Sequence, residues 1–149
     1  MKKTSKVSVV EIHKEIDLIQ SCINRMAQNS FMIKGWFVSI YAVVLALMPK
    51  KVDMQLLCIT LIVVNLLFWY LDAFYLRMRK IYRKMYEWVL SARAHNNREL
   101  MYQLNPKLYQ NKIDNTESIW KVMWSQTLRL FYLVPLIIVF VVLVSHISK

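Results

Sequence analysis

The run MQLLCITLIVVNLLFWYL, residues 54–71, contains no charge, no Pro and no Gly, and the medium it needs constrains everything else in the chain. A hydrocarbon core is crossed by about 20 apolar residues, range roughly 17–25, so this run is long enough to span a bilayer as a helix. It passes without a breaker into DAFYLRMRKIYRKMYEWVLS, residues 72–91, which is too charged to stay in lipid. The expected object is one long helix that spans over 54–71 and continues in water over 72–102. Asp72 marks the exit, behind an aromatic belt of Phe68, Trp69 and Tyr70.

Two more apolar runs accompany it, at 31–48 and 130–147. Hydrophobic residues make up 57% of the 149, above the roughly 45–50% of a soluble domain. One Gly and three Pro leave little material for sheet and turn. The fold class expected is therefore an all-α integral membrane protein, a single domain of three transmembrane helices. Extensions of those helices would form a cytoplasmic bundle.

Ahead of the first span, Val9, Ile12, Ile16, Ile19, Ile23 and Met26 recur at three and four over an amphipathic helix, 7–29. Its polar face carries both signs of charge (Glu11, Lys14, Glu15, Asp17, Arg25), which suits packing on a partner helix better than lying on a membrane. The register continues without a break through Ile33 and Phe37 into the span 31–48. A short connection at 49–53 makes the first two spans an antiparallel hairpin and sets Lys34 level with Asp72. A boundary ion pair of Asp72 with Lys34 or Arg129 is one expectation, and an Asp72 solvated among headgroups is the other.

A heptad seam runs through the second helix: Leu61, Val64, Phe68, Leu71, Tyr75, Met78, Tyr82, Met85 and Val89. With Ile12, Ile16, Ile19 and Ile23 it offers matching surfaces that close within one chain or between chains. Asn65, the one strongly polar residue of the second span, is read as helix–helix glue or as part of a pore lining. A loop is expected over 103–114 and a capping box at Asp114–Glu117. A helical lead-in at 115–129 would then enter the third span, where Pro135 introduces a kink.

The net charge is +11, and nearly all Lys and Arg fall outside the apolar runs, before residue 35 and between Arg77 and Arg129. By the positive-inside rule the N-terminus and residues 73–129 are cytoplasmic and the C-terminus is outside. Insertion is expected through the spans themselves, because the first apolar run lacks a signal-peptide pattern. The densest basic run, Arg77, Arg79, Lys80, Arg83 and Lys84, is interleaved with Tyr75, Tyr82 and Tyr86. It has three readings: the topology signal itself, a surface for anionic lipid, or a grip on an acidic protein or nucleic acid, the last disfavoured by its place beside the membrane.

No glycine-rich phosphate loop, HExxH, CxxC or Gly-flanked serine occurs, and the three histidines fall in different segments. An enzyme, a metal centre and a cofactor are not expected. Cys22 and Cys58 lie at unlike depths and make poor disulfide partners.

The segments IQSCINRMAQNSFMIKGW and FWYLDAFYLRMRKIYRKMYEWV together resemble the small helical membrane proteins of bacterial defence islands. These include SLATT-type effector domains and the membrane accessory protein of RNA-targeting CRISPR systems. The resemblance covers about residues 9–89 and is one of layout. It implies a non-enzymatic effector of the bacterial inner membrane that forms homo-oligomers and alters permeability in antiphage defence or toxicity, in contact with membrane lipids. The alternative is a constitutive anchor subunit for a soluble partner, such as a sensor or nuclease.

Overall fold

A computed structural model describes residues 7–47, 53–113 and 117–148, and all regular structure among them is helical. Helix α1 spans Val9–Leu47 and α2 spans Met54–Ala94. A 3-10 turn follows at Pro106–Tyr109, then a five-residue helix α3, Ile119–Met123, and finally α4, Gln126–Ile147. Three of these, α1, α2 and α4, are long and apolar enough to cross a membrane, which marks a multi-pass membrane protein.

Most of α4 faces outward: of its 22 residues only Leu128, Tyr132 and Val139 are buried, while Val134, Ile137, Ile138, Phe140 and Val141 are exposed. In water so broad an apolar surface would drive association; in lipid it is solvated. Three exposed hydroxyls within the apolar runs are satisfied within their own turn. Ser39, Thr60 and Ser145 each donate to the carbonyl four residues back, at 3.0, 2.8 and 2.6 Å. A hydroxyl that faces hydrocarbon has no water to bond, so this is the geometry it requires.

Helices α1 and α2 form the antiparallel hairpin, pairing Tyr41 with Leu61, Ser30 with Asp72 and Glu15 with Arg93. The seams close within the chain. Ile19 and Cys22 of α1 pack on Tyr82, Met85 and Val89 of α2, and Tyr109 and Ile113 cover them from the segment after α2. Ile23 and Met78 pack at the edge of this cluster, and Ile12, Ile16 and Tyr75 are half-buried. Nearer the spans, Phe37, Trp69 and Ala73 pack with Val122, Leu128 and Tyr132. Cys58, Leu61 and Val139 form the third cluster. Both cysteines are buried and free, in different clusters.

Several boundaries and registers differ from expectation. The predicted seam holds at Leu61, Tyr82, Met85 and Val89, but between Leu61 and Tyr82 the buried positions include Asn65, Trp69 and Asp72, while Leu71 is 43% exposed. An α-helix turns every 3.6 residues, so a straight contact stripe drifts off a strict heptad. Here the drift carries two polar residues inward. The same happens in α1, where Val9 is exposed and Glu15, assigned to the polar face, is 1% exposed.

Helix α2 ends at Ala94 rather than near residue 102, because Asn96, Leu100 and Tyr102 take positive φ. Such angles cannot continue a right-handed helix. The predicted lead-in over 115–129 is broken at Trp124–Ser125, so α4 begins at Gln126. The capping residue Asp114 lies outside the described residues, as does most of the 49–53 connection; Glu117 pairs with Lys80.

Candidate functional site

Ser30 and Lys34 are four residues apart on α1 and so share one face. That face meets Asp72 of α2, whose exposure is 0%. Ser30 Oγ donates to Asp72 Oδ1, and Lys34 Nζ lies 2.5 Å from Oδ2 while also donating to Ser30 Oγ at 3.0 Å. Tyr132 of α4 donates its hydroxyl to Oδ2 at 3.1 Å. Three helices therefore converge on one carboxylate, each supplying a polar group. The Lys34 side chain remains 24% exposed, consistent with a butylammonium that reaches from an apolar wall toward a polar boundary. Arg129 plays no part: it is exposed on the outer side of α4, and Lys34 is the cation that pairs Asp72.

Asn65 lies seven residues before Asp72, about 10 Å along the helix at 1.5 Å per residue. Its exposure is also 0%. Its Nδ2 donates to the Tyr41 hydroxyl at 3.1 Å and to the Tyr132 carbonyl at 3.2 Å. Tyr41 in turn donates to the Leu61 carbonyl at 3.2 Å. The Tyr132 carbonyl adjoins that of Phe131, which loses its helical donor because Pro135 has no N–H. These bonds fix the amide orientation and leave Asn65 Oδ1 buried with no partner among the described residues. Tyr132 is the hinge of the arrangement, its hydroxyl on Asp72 and its carbonyl on Asn65. A file of polar groups thus runs along the three-helix junction from Lys34 to Tyr41, walled by Phe37 and Trp69. Trp69 stacks on Tyr132 and donates its indole N–H to the Met123 carbonyl at 3.0 Å, tying α3 to the same level.

The basic run of α2 divides between two grooves. Arg77 Nε donates to the Glu117 carbonyl at 2.9 Å, and Lys80 Nζ meets the Glu117 carboxylate at 2.5 Å. That contact holds the Glu117 carboxyl below its ordinary range. With Arg83, Lys84 and Glu87 they line a cavity of about 250 Å³. Arg79 faces the other way, into a groove that it shares with Gln20, Arg83 and Tyr86.

At the far end of the hairpin, Arg93 and Glu15 form a buried bidentate pair, Nε–Oε2 and Nη2–Oε1 both at 2.7 Å. Arg93 Nη1 also donates to the carbonyls of Asn97 and Glu99, and Glu15 Oε1 accepts the Tyr102 N–H at 3.0 Å. This pair ties the turn after α2 down onto α1. Tyr109 completes the cover, donating to the carbonyls of Leu100 and Gln103. Burial raises its hydroxyl to about 12.

Ser30, Tyr41, Tyr132, Glu15 and Arg93 were not singled out from sequence. The spacings were present: Glu15 is three residues from Ile12 and four from Ile19, and Arg93 is four from Val89. A scan against protein-family models and searches of curated proteins and of solved structures found no match to this chain.

Proposed function

We propose that the chain is a non-enzymatic effector of the membrane in which it sits, altering permeability through the polar file between Lys34 and Tyr41. The observation that carries this reading is the fully buried Asp72 of α2, held by groups from α1 and α4 and continued by Asn65, whose Oδ1 has no partner among the described residues. A polar amide within a span is costly and occurs where ions, protons or a conformational change must be served, and the Lys34–Asp72 pair stands at the boundary of that span. In one copy the file is enclosed, which suits a resting state. Several copies assembled side by side would bring the three-helix junctions around a common axis, where rearrangement of the Lys34–Asp72 pair admits water and ions.

The charge distribution supports a cytoplasmic placement of the N-terminus and of residues 73–129, and an inner-membrane location follows from the resemblance to bacterial defence effectors. Antiphage or toxic activity is part of the same proposal. The test is dye release and ion flux from liposomes that contain the purified protein, run beside its native mass in mild detergent. A discrete oligomer that conducts, and that conducts less as Asn65→Leu, supports the reading. A monomer with no flux at any protein density overturns it.

One observation favours a second reading, a membrane anchor for an acidic soluble partner. Helix α2 continues 22 residues past Asp72, about 33 Å of rise, braced by α1 and carrying two basic grooves. Co-purification of a stoichiometric partner, with no flux, would select it.

A further inference from the structure

The groove of Arg77, Lys80, Arg83 and Lys84 lies beside a segment with an unusual surface. Helix α3, two residues after Glu117, exposes Trp120 at 66%, and Trp124 just beyond its end is 58% exposed, although both are large and apolar. Trp36 on α1 is 61% exposed and Tyr70 on α2 is 47% exposed. Trp124, Trp36 and Tyr70 are nearly level. Trp124 contacts Trp69 with ring centroids 5.9 Å apart, Tyr70 is the next residue, and Trp36 lies within one turn of Lys34, which pairs Asp72. Exposed Trp and Tyr at one level around a three-helix membrane protein mark the interface between hydrocarbon and headgroups.

That level sets the depth of the groove. Arg77 is seven residues past Tyr70 and Lys80 ten, so their backbones stand about 10 and 15 Å beyond the aromatic level. Long basic side chains that reach back toward the membrane from there meet the phosphate layer. Glu117 already shows what the groove accepts. Its carboxylate sits against Lys80 at 2.5 Å with Lys121 at 3.8 Å, and its own backbone carbonyl takes Arg77. Four cations face two carboxylates, Glu87 and Glu117, around a cavity of about 250 Å³ open beside that carboxylate.

We infer that this groove is a site for the phosphate of an anionic phospholipid headgroup, with the Glu117 carboxylate as an internal anion competing for Lys80. Arg77 and Lys80 hold the phosphate, Arg83 supplies a second cation from the groove wall, and Trp120 and Trp124 seat α3 among the headgroups. The inference needs only a membrane-embedded chain and is independent of the permeability proposal.

The experiment is native mass spectrometry of the full chain, extracted in mild detergent and supplied with equal phosphatidylglycerol and phosphatidylcholine. The expected result is several-fold enrichment of bound phosphatidylglycerol. Each basic residue removed lowers that enrichment about fivefold, in Lys80→Gln and in the exposed-site variant Arg83→Gln. Glu117→Gln, which removes the competing anion, raises it. Equal binding of the two lipids, or enrichment untouched by Arg83→Gln in a folded protein, overturns the inference. Complete displacement of the lipid by millimolar inorganic phosphate also overturns it, by identifying a soluble anion as the ligand.

Discussion

Arg93→Ala tests the packing of the segment after α2 most severely. Arg93 and Glu15 are each 1% exposed in their side chains, and the guanidinium bridges α1 to the carbonyls of Asn97 and Glu99. Removing it leaves the Glu15 carboxylate buried with the Tyr102 N–H as its remaining hydrogen-bond donor. Breaking a buried pair from one side costs about 3–5 kcal/mol, because the surviving charge is uncompensated. At about 1.4 kcal/mol per factor of ten, the population with residues 95–113 detached rises roughly a hundredfold to a few thousandfold. Trypsin cleavage at Arg98 and Lys107 reads that population directly when reclosing outpaces cleavage. The protein should be held in nanodiscs, so that the spanning helices stay intact. Adding Glu15→Gln to Arg93→Ala should recover part of the loss, since a neutral amide still accepts from Tyr102 without leaving a charge. Cleavage rates indistinguishable between wild type and Arg93→Ala would refute the assignment of this pair as the tie between the two segments.

Three further outcomes follow from named contacts. The Tyr109 hydroxyl stays neutral in the fold to about 12, whereas an unfolded tyrosine ionises near 10, so its contribution is complete below pH 10 and is lost as pH rises to about 12. Hydrogen exchange in residues 95–113 should show this alkaline loosening, and Tyr109→Phe should remove the step while lowering protection at neutral pH. A Cβ at Gly35, within α1, would meet nothing within 4 Å among the described residues, so Gly35→Ala should stabilise the helix by about 0.5–1 kcal/mol, read as a higher melting temperature in detergent. Lys34→Met strands the Asp72 carboxylate and should lower thermal stability markedly, whereas Arg129→Met, at an exposed site, should not.

What the sequence made legible was the work of long apolar runs and of charge placement. Three helices able to span a membrane, an antiparallel hairpin and the proximity of Lys34 to Asp72 all follow from run length and a short connection. The inward turn of Asp72, Asn65 and Glu15 was legible only in part. Asn65 reads as an inward contact and Asp72 as a candidate ion-pair partner, but Glu15 reads as a surface residue because its partner, Arg93, lies 78 positions away in the chain. The end of α2 at Ala94 was hidden for a different reason. ARAHNNREL contains no Pro or Gly, and of the three residues with positive φ only Asn96 is of a type that favours it; Tyr102 is held by tertiary bonds, its N–H to Glu15 and its hydroxyl to the Glu11 carbonyl. Ser125 at the break before α4 gave a cap-type residue, but the tryptophans around it read as helix continuation.

The most direct test of the central claim, that the Asp72–Asn65 file governs permeability, is proton and potassium flux across liposomes containing the full chain. Wild type, Lys34→Met and Asn65→Leu should be compared at equal, verified incorporation. Loosening the carboxylate by Lys34→Met should raise flux above wild type, and filling the file by Asn65→Leu should lower it. Flux from all three equal to that of protein-free liposomes, with the helices intact by circular dichroism, would contradict the claim and leave the polar file a packing device.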